Sequence, residues 1–277
     1  MTRFTGVSGI LATAFCVLMT STVSGQETDA ALSVGLKQLT AADTPLRKGE
    51  KIAFFGDSIT MQGGHIRIMR TAIEQGAHTK DLGVELFQHG LNGGRVPTVL
   101  EGKSKWGDLG GTMQALIEKE APTVIVIYLG INDVWHGSKG TNKPDFEAGL
   151  KQMVAMSKKA GATVILCTPS VIGEKLQGNK FSGQLDEYAA IIRKLAADEG
   201  VALCDIHEAF LAELKRVNVD DKNKGNLTND GVHMNKAGNA LLADLLSQCL
   251  VRTLKERNSA KAKAGPASLA PLSVPAK

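Results

Sequence analysis

The sequence lacks the features that would assign it to several large classes of protein. Among its 277 residues, aromatic side chains make up only 4% and cysteine occurs four times. No Cys-x-x-Cys pair and no mixed His/Cys spacing occurs, so we predict no metal site. The G-x-G-x-x-G and Walker patterns are also missing, which argues against a loop that cradles a nucleotide.

The body of the chain has no net positive charge. The whole sequence carries a formal net charge of +4, but Arg3 supplies one positive charge and residues 252–277 supply five. Residues 26–251 therefore carry a net charge of −2. A mildly acidic body argues against nucleic-acid binding, and the basic tail has no interleaved aromatic residues.

The first 25 residues have the pattern of a secretory signal peptide. A positive start is followed by a mainly apolar stretch from Ile10 to Met19, and small residues end the segment before Gln26. The apolar stretch is too short to span a membrane as a helix. We predict an exported mature protein, periplasmic or extracellular, without stable membrane insertion. The alternative is a retained membrane anchor.

Three cysteines remain in the predicted mature chain after Cys16 is removed with the leader. Cys167 and Cys204 end predicted strands, and Cys249 lies in the last predicted helix. Because the number is odd, an exported protein must keep a free thiol or form an intermolecular bond. Buried free cysteine behaves as a small apolar residue, and we expect that state for all three.

The body of the chain alternates between short apolar runs and helical patterns. Continuous apolar runs are typical of parallel strands that are covered on both faces. The predicted strands are 52–55, 84–88, 123–128, 163–167 and 201–204. The predicted helices are 65–77, 108–119, 146–159, 185–197, 207–217 and 237–254.

This alternation predicts an α/β fold, a three-layer α/β/α sandwich with a five-stranded parallel sheet. We expect one domain over residues 48–255, after the signal peptide at 1–25 and a lead-in segment at 26–47. Residues 256–277 are rich in Ala, Lys, Pro and Ser, and we predict that they form a disordered tail.

The chain is organised around the end of its first strand, where Gly56-Asp57-Ser58 separates an apolar run from a helical pattern. A serine at such a junction lies at the carboxyl edge of a sheet, beside a partly positive helix end. That position suits a nucleophile whose attack generates an oxyanion. The alternative is that Asp57 and Ser58 only cap the helix.

The next two strands deliver candidate hydrogen-bond donors to the same edge. The second ends in the glycine-dense turn 90–95, where a backbone N–H can approach a ligand closely; a plain flexible turn is the alternative. The third is followed by Asn132, whose amide can donate to a developing negative charge. We interpret Asp133 as a turn or cap residue and Trp135 as a rim residue.

Asp230 and His233 lie three residues apart just before the last helix. In one turn, a carboxylate can orient an imidazole ring, and the ring can take a serine proton. The alternative is a helix cap formed by Asp230 next to a surface histidine.

In order and spacing, these stretches resemble the GDSL-type esterases and lipases, also called SGNH hydrolases, over roughly residues 50–250. The matching stretches are Gly56-Asp57-Ser58-Ile59, the turn at Gly93, Gly130-x-Asn132-Asp133 and Asp230-x-x-His233. The resemblance implies a flavodoxin-like fold. It implies that Ser58 is the nucleophile, that His233 is the general base and later the acid, and that Asp230 orients His233. The implied oxyanion hole comprises the backbone N–H groups of Ser58 and Gly93 and the side chain of Asn132. The turn is the loosest match, and Gly94 is an alternative to Gly93.

The resemblance implies a serine esterase that needs no metal and no organic cofactor, and whose partner is a small-molecule or carbohydrate ester. We expect it to remove short acyl groups, such as acetyl, from carbohydrate, with Asp57, Gly94, Arg95 and Trp135 as candidate substrate contacts. A general short-chain carboxylesterase or a lysophospholipase-like enzyme is the alternative. A catalytically silent carbohydrate-binding or envelope module on the same fold is an alternative of another class.

Overall fold

The computed structural model describes residues 33–264. The predicted signal peptide at 1–25, the first part of the predicted lead-in at 26–32 and the end of the predicted tail at 265–277 lie outside the described residues.

The described residues form ten α-helices, seven strands and one 3-10 turn. The strands are β1 (Lys51–Gly56), β2 (Glu85–Gly90), β3 (Lys103–Ser104), β4 (Gly107–Asp108), β5 (Val124–Tyr128), β6 (Thr163–Cys167) and β7 (Ala202–Cys204). The helices are α1 (Val34–Leu39), α2 (Ser58–Gln62), α3 (Gly64–Gln75), α4 (Val96–Glu101), α5 (Met113–Glu120), α6 (Ile131–Trp135), α7 (Lys143–Lys159), α8 (Ser182–Asp198), α9 (Ile206–Val217) and α10 (Lys236–Ala264). The 3-10 turn is Gly137–Lys139.

Five strands form one parallel sheet in the order β2-β1-β5-β6-β7. This arrangement confirms the predicted fold class. The central strand β5 reads Val-Ile-Val-Ile-Tyr and is buried along its whole length, as expected for a strand that is covered on both faces. The register pairs Gly56 with both Gly90 and Tyr128, so the first three long strands reach the carboxyl edge at one level.

The helices pack in two groups against this sheet. One group joins α1, α3 and α10, and the other joins α4, α5, α7 and α8. The chain crosses from β1 to β2 in one direction and from β5 to β7 in the other. Because such crossovers are right-handed, the two groups cover opposite faces of the sheet. Within residues 33–264, no helix combines the length and apolar character that crossing a membrane requires.

The lead-in and the tail differ from the sequence prediction where the structure describes them. The lead-in contains α1, which packs on α10, and the Gly35 N–H donates to Asp244 Oδ1 at 2.6 Å. Helix α10 continues to Ala264, whereas we predicted disorder from residue 256. Arg257 and Asn258 explain this difference because they bond to Glu50 and to the Pro45 carbonyl, which anchors the extra turns. Ala and Lys are strong helix formers and carry the helix onward.

Several short elements were also not predicted. These are α1, α2, α4, α6, the 3-10 turn and the antiparallel pair β3–β4. The helix predicted at 108–119 begins only at Met113, because Asp108 belongs to β4. The remaining predicted elements lie where the sequence placed them, within a few residues at each end. Cys167, Cys204 and Cys249 are buried free thiols, as expected.

Candidate active site

Ser58 is the first residue of α2, directly after β1. The turn between them depends on Gly56, because a Cβ there would lie 2.0 Å from Thr60 Oγ1. Asp57 accepts a hydrogen bond from the Ile59 N–H at 2.8 Å and caps the helix. Asp57 therefore has the capping role that was the alternative expectation, and Ser58 is left half-buried at the helix N-terminus.

The imidazole ring of His233 lies between Ser58 and Asp230. Its Nε2 is 2.9 Å from Ser58 Oγ, and its Nδ1 is 2.7 Å from Asp230 Oδ2. Because an ionised carboxylate can only accept, Nδ1 carries the proton and Nε2 is free to accept the serine proton. A hydrogen-bonded chain thus runs from hydroxyl to imidazole to carboxylate, which is an arrangement that can activate a serine.

Asp230 is held in place by its own turn. Its Oδ1 accepts from the backbone N–H groups of Val232 at 3.0 Å and of His233 at 2.8 Å. Partial burial raises the pKa of Asp230, but the hydrogen bonds from the His233 side chain and from the two N–H groups outweigh burial and lower it. The carboxylate is therefore ionised when the His233 ring needs a partner.

Hydrogen-bond donors without acceptors lie on the neighbouring loops. The backbone N–H groups of Ser58 and Gly93 make no hydrogen bond to any of residues 33–264. The Gly94 N–H donates to the Leu91 carbonyl at 2.8 Å, which favours Gly93 over Gly94 as a free donor. The buried amide of Asn132 donates one N–H to the Gly94 carbonyl at 3.1 Å, so its second N–H remains available. This set can stabilise an oxyanion.

Trp106 covers the turn at Gly93. A Cβ at Gly93 would lie 2.2 Å from Trp106 Cε3, and the φ of Gly93 is +63°. This position therefore requires glycine for a steric reason and for a backbone reason. The Trp106 ring also stacks on His136 at a centroid distance of 5.9 Å. The unpredicted pair β3–β4 carries Trp106 to this place and so forms one wall of the site.

A cleft of about 220 Å³ opens beside Asp230. Its lining includes Trp135, Lys175, Asn179 and Phe181. Gly231 and Val232, which lie between Asp230 and His233 in the chain, also line it. Trp135 is 42% exposed, which is unusual for a side chain of its size and leaves its ring open to a ligand.

The other candidate substrate contacts have different surroundings. Asp57 is only 1% exposed and lies inside the fold. Gly94 is occupied in the turn through both its N–H and its carbonyl. Arg95 Nη1 donates to the carbonyls of Lys139 and Gly140 at 2.8 and 3.1 Å, so its guanidinium ties two loops together. Of the four, Trp135 alone offers an exposed side chain beside the cleft.

Two buried carboxyl groups lie at the same edge as Ser58. The pKa of Asp57 is raised to about 7, mainly by burial; the hydrogen bond from the Ile59 N–H opposes this rise, and the charge of Asp133 adds to it. Burial likewise raises the pKa of Asp133 to about 6. Asp133 Oδ1 accepts from the Val96 N–H at 3.1 Å, so Asp133 anchors the start of α4, beyond its expected role as a turn or cap residue.

One residue at this edge was not singled out from the sequence. Glu174 follows β6, is fully buried, and accepts hydrogen bonds from the segment that precedes Asp230. An acidic residue between glycine and lysine is typical of an exposed loop, so the sequence gives no signal for its burial.

A model of the GDSL-like lipase/acylhydrolase family matches residues 54–241. The chain belongs to this family. The resemblance predicted from the four stretches is therefore confirmed, and the protein is a hydrolase of ester bonds. No curated protein matched the chain.

Solved structures of other hydrolases share this fold. The acetyl xylan esterase AlAXEase is 33% identical, with 71% of this chain and 97% of that chain covered at a TM-score of 0.62. A catalytic mutant of Axe2, an acetylxylan esterase from Geobacillus stearothermophilus, is 23% identical, with coverages of 76% and 96% and a TM-score of 0.59. LAE5, an α/β hydrolase enzyme from the metagenome of Lake Arreo, Spain, is 21% identical, with coverages of 74% and 98% and a TM-score of 0.60. At these identities, the last two show the common fold alone.

Proposed function

We propose that this member of the GDSL-like family is an exported serine esterase that removes short acyl groups, acetyl above all, from carbohydrate. The observation that carries this proposal is the hydrogen-bonded chain from Ser58 through His233 to Asp230, beside a cleft that is open to a ligand.

In the first step, Ser58 Oγ attacks the ester carbonyl while its proton moves to His233 Nε2. The carbonyl oxygen becomes an oxyanion, which accepts from the free N–H groups of Ser58 and Gly93 and from the Asn132 amide. The bond to the alcohol then breaks, and the leaving oxygen takes the proton from Nε2. The acyl group remains on Ser58.

In the second step, water attacks the acyl-enzyme. His233 Nε2 takes a proton from the water, and the same donors stabilise the second oxyanion. The bond to Ser58 Oγ breaks, the serine regains its proton from His233, and the carboxylic acid leaves. Asp230 stays ionised throughout and stabilises the positive ring that forms in each step.

The exposed apolar surface supports a carbohydrate substrate. Of six large apolar side chains that are exposed within the described residues, four belong to segments that carry or adjoin the site, namely Met61, Trp106, Trp135 and Leu176. Aromatic faces suit stacking on sugar rings. The name of the relative at 33% identity, an acetyl xylan esterase, agrees with acetylated carbohydrate as the substrate class.

The test is a panel of acetylated xylo-oligosaccharides, acetylated monosaccharides, longer aryl esters and lysophospholipids, assayed with purified protein. We expect the highest kcat/KM for acetylated sugars and no turnover by Ser58→Ala. Faster turnover of long-chain or phospholipid esters would favour the alternative acylhydrolase function. Activity of Ser58→Ala equal to wild type would reject the acyl-enzyme mechanism.

Export is supported by the pattern of residues 1–25. Expression of the full chain in a bacterial host, followed by sequencing of the mature N-terminus, tests this part. We expect mature protein that begins near Gln26 outside the cytoplasm, and uncleaved cytoplasmic protein would contradict it.

A further inference from the structure

The segment that precedes Asp230 and His233 is tied to a buried carboxylate on another loop. Glu174 has no exposed surface. It accepts five hydrogen bonds at distances of 2.5 to 2.9 Å. The donors are the backbone N–H groups of Asn226, Leu227 and Thr228 and the side chains of Asn226 and Thr228.

These donors balance the charge of Glu174 without a cation. None of the ion pairs within residues 33–264 includes Glu174. Burial raises the pKa of Glu174, but the hydrogen bonds from Thr228 and Asn226 outweigh burial and lower it. The carboxylate is therefore an ionised acceptor whose partners all belong to one short segment.

A short relay connects this acceptor to the catalytic turn. Thr228 Oγ1 donates to Glu174 and accepts from the Gly231 N–H at 3.0 Å. The Gly231 carbonyl in turn accepts from the N–H of Gly173, the neighbour of Glu174, at 2.7 Å. Gly231 lies between Asp230 and His233 in the chain. Two or three hydrogen bonds therefore couple the position of Glu174 to the positions of these two residues.

We propose that Glu174 is a positioning residue, which fixes the 226–228 segment so that Asp230 and His233 hold the imidazole within reach of Ser58. This inference rests on the proposed acyl-enzyme function of Ser58. An error of about 1 Å in the placement of a catalytic group can cost on the order of 10²-fold in rate. A residue that only stabilises the fold would change the melting temperature and leave kcat unaltered.

The test is Glu174→Gln, which keeps the side-chain shape but turns an NH₂ group toward N–H donors. On a chromogenic acetyl ester well below the melting temperature, we expect kcat to fall about ten- to a hundredfold with KM within about twofold. The rate of labelling by a fluorophosphonate should fall in parallel, since it reports the activated serine directly. Glu50→Gln is the matched control, because Glu50 is equally buried but lies at the opposite edge of the sheet.

Thr228→Val provides a second, milder variant if Glu174→Gln does not fold. It removes the relay hydroxyl with little change in shape, and we expect kcat to fall about five- to tenfold. A folded variant of either kind with the kcat and labelling rate of Glu50→Gln would overturn the inference. Wild-type protein that neither hydrolyses esters nor labels would instead reject the proposed function, so the two failures are distinguishable.

Discussion

At the amino edge of the sheet, Glu50 is a buried carboxylate with a balanced charge. Each of its oxygens accepts from the Arg257 guanidinium at 2.7 Å, and although burial raises its pKa, these bonds and one from Thr123 lower it overall. At the carboxyl edge, Asp57 and Asp133 are equally buried but form no ion pair within the described residues, and burial raises their pKa to about 7 and about 6. Glu50 is therefore held in its charged form at one edge, whereas Asp57 and Asp133 at the other edge are shifted toward the neutral form.

Backbone groups show the same contrast. At the amino edge, the N–H groups of Glu85, Thr123 and Thr163 all donate to carbonyls of neighbouring strands at 2.8 to 2.9 Å. At the carboxyl edge, the N–H groups of Ser58 and Gly93 have no acceptor among the described residues. Satisfied polar groups stabilise a fold, whereas unsatisfied donors are available to a reacting oxygen. The amino edge therefore contributes stability, and the carboxyl edge has free donors, as the proposed reaction requires.

The largest expected effect is a fall in kcat when Asn132, at the carboxyl edge, is replaced. Asn132→Ala removes one donor of the proposed oxyanion hole, so we expect kcat to fall by about 10²- to 10³-fold, or about 3 to 4 kcal/mol of transition-state stabilisation. Steady-state kinetics on an acetyl ester measures this. A variant that retains kcat within about threefold of wild type would remove Asn132 from the oxyanion hole.

Glu50→Gln should have the opposite profile. It leaves the Arg257 charge buried without its partner, so we expect a loss of about 3 kcal/mol in unfolding free energy and a melting temperature lower by roughly 6 to 12 °C. At 25 °C, kcat should be unchanged. Calorimetry combined with kinetics tests both parts, and a marked fall in kcat would break the division between the edges.

The two glycines that flank β2, Gly83 and Gly93, allow the two edges to be compared through the same substitution. Gly83 and Gly93 both have φ of +63°, so Ala at either position costs about 1 kcal/mol in backbone strain. A Cβ at Gly83 meets nothing within 4 Å, whereas one at Gly93 meets Trp106. We expect Gly93→Ala to lower kcat about tenfold because its N–H must shift, and Gly83→Ala to lower stability alone. Equal kcat in the two variants would argue against Gly93 as a donor.

The smallest effect concerns pH. Because the folded-state pKa of Asp133 is raised from 3.8 to about 6, its contribution to stability is full below pH 3.8 and is lost as the pH rises toward 6. Glu50, with its lowered pKa, contributes in the opposite sense and loses its contribution as the pH falls. Between pH 5 and pH 8, wild-type protein should lose about 1 kcal/mol of stability through Asp133.

Asp133→Asn should remove that loss, because the amide does not titrate. Urea unfolding at pH 5 and pH 8 measures the difference for both proteins. Glu50→Gln is the control and should retain the wild-type difference, since Glu50 is ionised at both pH values. An identical difference in Asp133→Asn and wild type would show that Asp133 is not neutralised in the fold.

Part of the carboxyl edge was predictable because Ser58, Gly93 and Asn132 each lie within a few positions of a strand end. Buried parallel strands leave continuous apolar runs in a sequence, and residues after those runs meet at one edge. Ser58 and Asn132 could be identified in this way, whereas Asp230 and His233 were identified by their spacing just before the last helix. The choice of Gly93 over Gly94 could not, since it depends on which N–H the Leu91 carbonyl accepts.

The amino edge and the supporting residues were harder to predict because their partners are distant along the chain. The extension of α10 depends on Arg257 reaching Glu50, 207 positions away. The burial of Glu174 depends on donors 52 to 54 positions later. Neither partnership leaves a local pattern of hydrophobicity or spacing, and pattern is all that a single sequence offers.

The proposed mechanism depends on an activated serine, and intact-mass analysis after reaction with a fluorophosphonate measures this activation directly. We expect one adduct per chain, located on Ser58, that is lost in His233→Gln and retained in His89→Gln, where the ring is likewise paired with a carboxylate, that of Glu120. Labelling of wild type at another residue, or undiminished labelling of Ser58 in His233→Gln, would contradict the account.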